Sequence, residues 1–207
     1  MENIKTQKFS KDFLKEFMTD KKVDKGKEIT DFDLKEVVRK DDGGLILTAE
    51  EYWVTVVTTY SSRGMSHTTY HYHYGDIIVL NIDAEGKMIW SRKIAKSQHS
   101  INDGGFFSSY YLAVVKDNLY FIFNDSEKNY TKDKDYVYTF ERSNSNKGVV
   151  SNVRVDSDGE IDKRQVYAIG DEEIILRPKV CQQISDNEVL LFCEKAKRQR
   201  YAKIHFR

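Results

Sequence analysis

A pair of strands joined by a short polar turn occurs three times in this chain, and that repeat constrains the fold more than any other feature. In each pair, a turn rich in Asp, Asn or Gly separates two runs of strand-forming residues, which predicts an antiparallel hairpin. The second strands begin at Leu45, Leu119 and Val189, 74 and then 70 residues apart. The three pairs are FDLKEVVRK with LILTAEE, FFSSYYLAVVK with LYFIFND, and KVCQQIS with EVLLFCEK.

Each hairpin is followed by a polar segment and then by a further strand, DIIVLNID, VVSNVRVD or YAKIHFR. Turns at residues 83–86 and 156–159 lead from the first two of these into a fourth strand, KMIWSRKI or EIDKRQVY. Four antiparallel strands per repeat are the plan of a β-propeller blade. A repeat of about 70 residues is longer than the usual blade of about 40–50, and the excess lies in polar excursions at residues 51–74 and 126–147.

The sequence therefore predicts a mostly β fold of about three four-stranded, antiparallel units of β-propeller type. Their expected bounds are 32–94, 105–168 and 174–207, and the last unit lacks its fourth strand. Within the third unit, Pro178 of Arg177-Pro178-Lys179 is expected at the first position of a strand, where its missing N–H falls outside the ladder.

Residues 1–31 differ from the rest and form a predicted N-terminal extension. Phe9, Phe13 and Phe17 recur at i, i+4 and i+8, which is typical of one face of a helix. Ser10 is a candidate N-cap and Gly26 a candidate stop. These signals predict one amphipathic helix over residues 10–20, packed on the β units.

The chain resembles β-propeller proteins of the WD40/YVTN-like kind. More narrowly, it is similar to the C-terminal part of an uncharacterised bacterial propeller-like family, over residues 32–207. The segments that carry this resemblance are DGGLILTAEEY, DIIVLNIDAEGKMIW, FSSYYLAVVKDNLYFIFND, ILRPK and the terminal strand. The resemblance implies a scaffold and no catalytic residue.

Three units cannot close a ring alone, since propellers have typically four to eight blades. We therefore expect either a homo-oligomer or a longer propeller that includes further blades. The last strand, YAKIHFR, would leave an open edge, which proteins usually cover. Residues 3–9 or a second copy of the chain are expected to cover it.

The bulk composition limits the classes of partner. The 33 basic and 33 acidic residues balance, so nothing general favours nucleic acid, and the basic run at residues 195–200 is expected to be solvated surface. The sequence shows no apolar run long enough to span a membrane and no secretory signal. A cytoplasmic location is expected, or a periplasmic or extracellular one if the chain is a fragment.

Cys181 and Cys193 lie in apolar strands and are predicted to be buried thiols.

A histidine-rich stretch inside the first excursion is the candidate metal site. His67, His71 and His73 share odd parity, so on a strand they would point to one face. With Glu50 or Glu51 they could ligate zinc, which prefers tetrahedral N, S and O donors. The other interpretation is a polar β-ribbon or loop without metal. His99 and His205 are isolated in the sequence.

Aromatic residues of the same excursion are the candidate ligand-binding surface, for a protein or a glycan. Packing inside a blade explains the same residues without a ligand. The candidates are Trp53, Tyr60, Tyr70, Tyr72 and Tyr74.

Each second strand ends in an acidic residue: Glu50, Asp125 or Glu194. Paired carboxylates can hydrolyse glycosidic bonds, but solvated strand ends account for these residues as well. The sequence contains no nucleophile elbow and no phosphate-binding glycine loop. It therefore favours a non-enzymatic binding or scaffold module without a cofactor. The alternative is a hydrolase or lyase that uses loop carboxylates or a histidine-bound metal.

Overall fold

The computed structural model describes residues 6–131, 136–170, 174–195 and 198–207, and the fold is mostly β with antiparallel sheets, as predicted. The propeller arrangement itself stays a prediction. The elements are α1 (Lys11–Lys15), α2 (Asp20–Asp24), β1 (Phe32–Arg39), β2 (Leu45–Tyr60), β3 (Ser66–Ile82), β4 (Met88–Ile94), β5 (Gln98–Ile101), β6 (Tyr111–Val115), β7 (Asn118–Ser126), α3 (Lys128–Thr131), β8 (Phe140–Glu141), β9 (Gly148–Val155), β10 (Ile161–Ala168), β11 (Ile175–Leu176), β12 (Gln182–Ser185), β13 (Glu188–Lys195) and β14 (Arg198–His205), with short 3₁₀ helices at Arg142–Lys147 and Pro178–Val180.

The chain forms two compact units, and two long strands belong to both. The first unit comprises Met1–Tyr52 and Asp76–Ala95, and the second comprises Trp53–Gly75 and Lys96–Arg207. Strands β2 and β3 each contribute one part to each unit.

In the first unit, four antiparallel strands follow the order β1-β2-β3-β4. The predicted first hairpin is present, with Phe32 opposite Glu51 and Arg39 opposite Leu45. The Asp-Asp-Gly-Gly turn closes it through a hydrogen bond from Lys40 N–H to the Gly44 carbonyl. The buried core of this unit includes Phe13, Leu14, Val23, Ile46, Ile77, Ile78, Val79 and Ile94.

The predicted single helix over residues 10–20 is wrong, because two short helices, α1 and α2, occupy this segment and the residues after it. Thr19 has extended backbone angles (φ −66°, ψ 150°) and starts α2 instead of continuing α1. The N-cap prediction is confirmed, since the Ser10 hydroxyl accepts a hydrogen bond from Phe13 N–H at 3.2 Å. The predicted aromatic stripe also forms, with neighbouring ring centroids of Phe9, Phe13 and Phe17 5.2 Å apart.

In the second unit, one sheet has the order β10-β9-β7-β6, and a further sheet is centred on β13. Strand β13 pairs with β14 along one edge and with β12 and β11 along the other. Both remaining hairpins therefore occur where the turns predicted them. The two sheets share one core, formed by Ala113, Val115, Ile122, Val150, Ile174, Leu176, Cys181, Val189, Leu191, Cys193 and Phe206.

Pro178 does not begin a strand, contrary to the prediction. It lies in the 3₁₀ helix Pro178–Val180, which separates β11 from β12. Proline suits the first turn of a helix because its missing N–H would have no partner there. Cys181, which follows this helix, and Cys193 are free and buried. Burial raises the pKa of Cys181 to about 11, so this thiol is protonated and unreactive near neutral pH.

Of the three acidic residues predicted at the ends of the second strands, Glu50 and Asp125 are buried and Glu194 is half-buried, and Glu50 lies inside β2 rather than at its end. Lys35 Nζ lies 3.7 Å from Glu50 Oε2 in the first unit. In the second unit, Lys163 Nζ lies 2.6 Å from Asp125 Oδ2, and Arg177 Nη1 donates to Glu194 Oε2 at 2.8 Å. Each carboxylate is thus placed beside a cation from a neighbouring segment, which explains the recurrence of an acid at this position.

Asp125 has the most complete set of partners. Its Oδ1 accepts hydrogen bonds from Ser126 N–H at 2.9 Å and from the Asn129 amide at 2.6 Å. Its Oδ2 accepts from the Ser151 hydroxyl at 3.0 Å, beside the Lys163 ammonium. The carboxylate is fully buried, so this pair is a structural connection between β7, α3, β9 and β10.

The edge of β14 was expected to be covered by residues 3–9 or by a second copy. Residues 3–5 lie outside the described residues, and residues 6–9 form no strand. The Gln7 side chain instead accepts a hydrogen bond from Met88 N–H at 2.8 Å in the first unit. Among the described residues, β14 pairs only with β13. Coverage by a second copy stays a prediction.

Phe121 and Leu191 are buried in the middle of the second strands, as the repeat predicts. The Phe121→Ala change removes a fully buried ring from β7 and should lower the free energy of unfolding by about 3–5 kcal/mol. Tyr201→Ala is the control, since Tyr201 is 80% exposed on β14. Denaturant unfolding measures both, and a loss below about 1 kcal/mol for Phe121→Ala would contradict this packing.

The Asp125→Asn change keeps the shape of the side chain but removes the charge that balances Lys163. We expect it to lower the free energy of unfolding by about 3–5 kcal/mol, as for other broken buried pairs. Asp162→Asn removes half of an exposed pair with Arg164 on β10 and should have little effect. Equal effects of the two changes in urea unfolding would show that the buried pair adds nothing.

Candidate functional site

The distal parts of β2 and β3 form a two-stranded ribbon, residues 53–60 with residues 66–74, in the second unit. All of residues 53–60 are exposed. The hydroxyls of Thr58 and Thr68 lie 3.0 Å apart, so even-numbered residues of the two strands share one face. The first excursion is therefore the β-ribbon that its alternating pattern predicted, and its odd-numbered residues lie on the opposite face.

The odd-numbered face carries a column of stacked rings. The Trp53 ring lies parallel to the His73 ring, with centroids 4.7 Å apart and an interplanar angle of 4°. His73 stacks in turn on His99 at 4.8 Å, and the nearly parallel rings of His99 and His71, with centroids 5.2 Å apart, meet edge to edge. The column fixes the orientation of an indole that remains 41% exposed.

The sequence suggested that His99 is isolated, but the structure shows that it is not. Strand β5 pairs antiparallel with β3 and places His99 opposite His73. Nε2 of His99 and Nδ1 of His71 lie 3.0 Å apart and share a hydrogen bond. His71 Nε2 bonds the Thr69 hydroxyl at 3.3 Å, and a Glu141 oxygen lies 3.8 Å from His99 Nδ1. The rings of the column are thus held both by stacking of their faces and by polar contacts of their ring nitrogens.

The zinc hypothesis stays a prediction. His67 is exposed near the tip of the ribbon, where its carbonyl accepts a hydrogen bond from the Thr59 hydroxyl. His73 meets His99 by its ring face, whereas metal ligation uses lone pairs in the ring plane, and His71 Nδ1 and His99 Nε2 are engaged with each other. In the described part of the chain, no group of three or more His, Cys, Asp or Glu residues is placed to hold a metal ion.

The pKa of His73 is set by its burial and by its neighbours in the column. Desolvation lowers the pKa of His73, and the neighbouring His99 and His71 lower it further. Near neutral pH the His73 ring is therefore uncharged where it stacks on Trp53. Protonation of His73 would place a charge in contact with the Trp53 and His99 rings.

The predicted tyrosines divide into exposed and buried residues. Tyr60 is 78% exposed and Tyr70 46%, while Tyr72 is half-buried. Tyr74 is buried, and its hydroxyl accepts a hydrogen bond from Lys179 Nζ at 2.9 Å. A Cβ at Gly105 would lie 2.4 Å from the Tyr74 ring, and Gly105 has φ +67°, so only glycine fits there. Tyr74 is thus a packing residue in this structure.

A cleft of about 580 Å³ in the first unit holds the other chemically notable groups. Lys93 Nζ lies 2.9 Å from Asp76 Oδ2 and donates to the Glu16 carbonyl at 2.6 Å. Burial raises the pKa of Glu51, and the Asp76 charge raises it further. The cleft therefore contains one carboxylate beside a cation and one that gains a proton more easily. Phe17, Ile29 and Phe32 supply apolar lining.

Neither Asp76 nor Lys93 stands out in the sequence. Asp76 precedes the apolar run IIVLNI, and Lys93 lies in β4, where an alternating strand gives no sign of a cleft. The sequence pattern groups Glu51 with the histidines of the ribbon, whereas the structure places it in this cleft. Pairing of β3 with β4, with Ile77 opposite Ile94, accounts for the proximity of Asp76 and Lys93.

Comparisons with protein families, with curated proteins and with solved structures found no match to this chain. No helix in the described residues is both long and apolar enough to cross a membrane.

The stacking of Trp53 on His73 makes tryptophan fluorescence a sensor of His73. The chain has two tryptophans, so Trp90→Phe leaves Trp53 as the only one. Protonated imidazole quenches indole, and the emission should fall with a midpoint below the ordinary histidine pKa of about 6.5. A midpoint at or above that value would contradict the lowered pKa of His73, and adding His73→Asn should remove the transition.

The same lowered pKa has a consequence for stability. Between the folded and the unfolded pKa of His73, the unfolded state binds more protons, so the free energy of unfolding falls as the pH falls through this window. Urea unfolding at a series of pH values should show a smaller acid loss in His73→Asn than in the parent. An equal loss in both proteins would show that His73 does not contribute to the loss of stability in acid.

Proposed function

We propose that this chain is a non-enzymatic binding module of β-propeller type that takes an uncharged ligand on the odd-numbered face of the ribbon. The scaffold part of the proposal is supported by the three antiparallel sheets and by the shared core of the two sheets in the second unit. Sheets that pack face to face are how neighbouring blades contact each other. Further blades or a second copy would complete the ring.

The observation that carries the ligand site is the exposed, oriented Trp53 at the end of the imidazole column. Aromatic rings that are fixed before binding lose little entropy when a ligand covers them. The sequence from residue 53 to residue 75 contains one charged residue, Arg63, when histidine is neutral. The surface therefore suits a neutral partner better than an ionic one.

A neutral oligosaccharide is the ligand chemistry that fits this face best. The apolar face of a sugar ring can lie on the indole, while hydroxyl and imidazole groups bond the sugar hydroxyls. Thr55 and Thr59 share the odd-numbered side with Trp53, and Thr69 already bonds His71. A polypeptide segment is the alternative occupant of the same face.

The cleft of the first unit supports a second candidate, a hydrolase. Two carboxylates in different environments are the arrangement that separates an acid from a base. The raised pKa of Glu51 beside the Lys93-paired Asp76 has that form. Hydrolysis of a chromogenic glycoside that disappears in both Glu51→Gln and Asp76→Asn would favour this candidate over the binding module.

The binding proposal predicts that neutral oligosaccharides shift the emission of Trp53 in the Trp90→Phe variant. Trp53→Ala should abolish binding measured by calorimetry, because the stacking surface is gone. Trp90→Phe is the matched control and should bind like the parent, since Trp90 lies in β4 of the first unit. Equal affinities of the Trp53→Ala variant and the parent would refute this site. Binding of unstructured peptides alone would replace the glycan with a polypeptide.

A further inference from the structure

The outer edge of the ribbon is an unpaired strand edge. Ser61 N–H donates to the Met65 carbonyl across the turn, so Ser61 faces β3. Backbone groups alternate along an antiparallel strand. Val54, Val56 and Thr58 therefore direct their N–H and C=O groups away from β3. The pairing of β1 with β2 ends at Glu51, and no strand among the described residues pairs with this outer edge.

Two other sheet edges of the second unit, those of β10 and β14, carry charged side chains. The edge strand β10 carries Asp162 and Arg164, and β14 carries Arg198, Arg200 and Lys203. Charged side chains on an edge oppose pairing with another chain.

Strand β6 has no charge, but a side chain covers its edge. The Gln183 amide donates to the Val114 carbonyl at 2.8 Å and accepts from Val114 N–H at 3.1 Å. This amide takes the place of a neighbouring strand. The ribbon edge has neither kind of protection. Residues 53–60 contain no charged residue and no proline, and no side chain among the described residues covers their outer edge.

We propose that residues 53–60 pair antiparallel with the same residues of a second copy of this chain. The proposal goes beyond the ligand site, since it uses the edge of the ribbon and not its ring-bearing face. An uncharged edge brings no like charges together when two copies meet, whereas each charged edge would. Residues 53–60 of a second copy match this strand in length and likewise carry no charge.

A two-fold axis at Val57 gives a self-complementary register. Thr55 then lies opposite Thr59 of the second copy, Val56 opposite Thr58, and Val54 opposite Tyr60. Thr–Thr and aromatic–β-branched pairs are among those that stabilise antiparallel strands. The outward N–H and C=O groups of even-numbered residues meet their counterparts directly.

The dimer is expected to be reversible. One short strand pair buries less than the roughly 1,200–2,000 Å² of a stable interface. Exposed Val54 and Val56 on the even-numbered face add apolar contact next to the new strand pair. Association should therefore be weak and should depend on the protein concentration.

Sedimentation velocity over a concentration series tests the proposal on the full chain. The parent should shift from monomer to dimer as its concentration rises. Val56→Lys places a charge on the edge and should keep the protein monomeric. Tyr70→Lys is the matched control, with the same charge on the same face of the ribbon but on β3, and it should still dimerise. A monomeric parent at high concentration, or a Val56→Lys dimer as strong as the parent dimer, overturns the proposal.

Amide hydrogen exchange by NMR gives a readout that does not need a mutation. The outward amides of Val54, Val56 and Thr58 should exchange slowly only in concentrated samples. The inward amides of Thr55 and Val57 should be slow at all concentrations, because they bond β3. Outward amides that exchange equally fast in dilute and concentrated samples would place any dimer contact elsewhere, for example at β14, and overturn the proposal.

Discussion

The burial of the Asp125 carboxylate at the end of β7 determines the placement of the elements around it. An isolated ionised carboxylate inside a protein is very unfavourable, so it must have a cation and hydrogen-bond donors. Here the surrounding segments supply them: Lys163 from β10, Ser151 from β9 and Asn129 from α3. A shift of β10 by one residue would replace Lys163 by Asp162 or Arg164 and point them to the wrong face. The carboxylate thereby fixes the register of its sheet.

Asn124, the residue before Asp125, supplies hydrogen-bond partners to buried backbone groups. The Asn124 amide donates to the carbonyls of Phe107 and Leu176 and accepts from Leu176 N–H. The buried Gln98 amide similarly accepts from Ser109 N–H at 2.7 Å and donates to the Asn124 carbonyl at 2.8 Å. Buried backbone groups outside regular strands need such partners. These two amides allow the irregular segment before β6 and the short β11 to lie inside the second unit.

Signals within a few residues of sequence, such as turns, predicted most of the strands and hairpins. The features that the sequence did not predict depend on partners far away in the chain. The Asp-Asn turns at residues 117–118 and 186–187 identified two hairpins because a turn acts within a few residues. Lys163, by contrast, lies 38 residues after Asp125, and nothing in its neighbourhood marks it as a buried cation. Likewise, parity placed His71 and His73 on one face, whereas the pairing of β5 that brings His99 to them leaves no local trace. The phenylalanine stripe ends at Phe17, before α2 begins at Asp20, so its spacing gave no information about the break at Thr19.

The pleated geometry of the ribbon separates its two proposed interactions. Side chains stand roughly perpendicular to a β-ribbon, whereas the N–H and C=O groups lie in its plane. The column from Trp53 to His71 therefore occupies a face, and the outward groups of Val56 and its even-numbered neighbours occupy an edge. A ligand on the indole covers no backbone group of that edge, and a second strand on the edge covers no ring face. One segment can thus bind a ligand and a second copy at the same time, and two paired ribbons would place two tryptophan platforms on one continuous four-stranded surface.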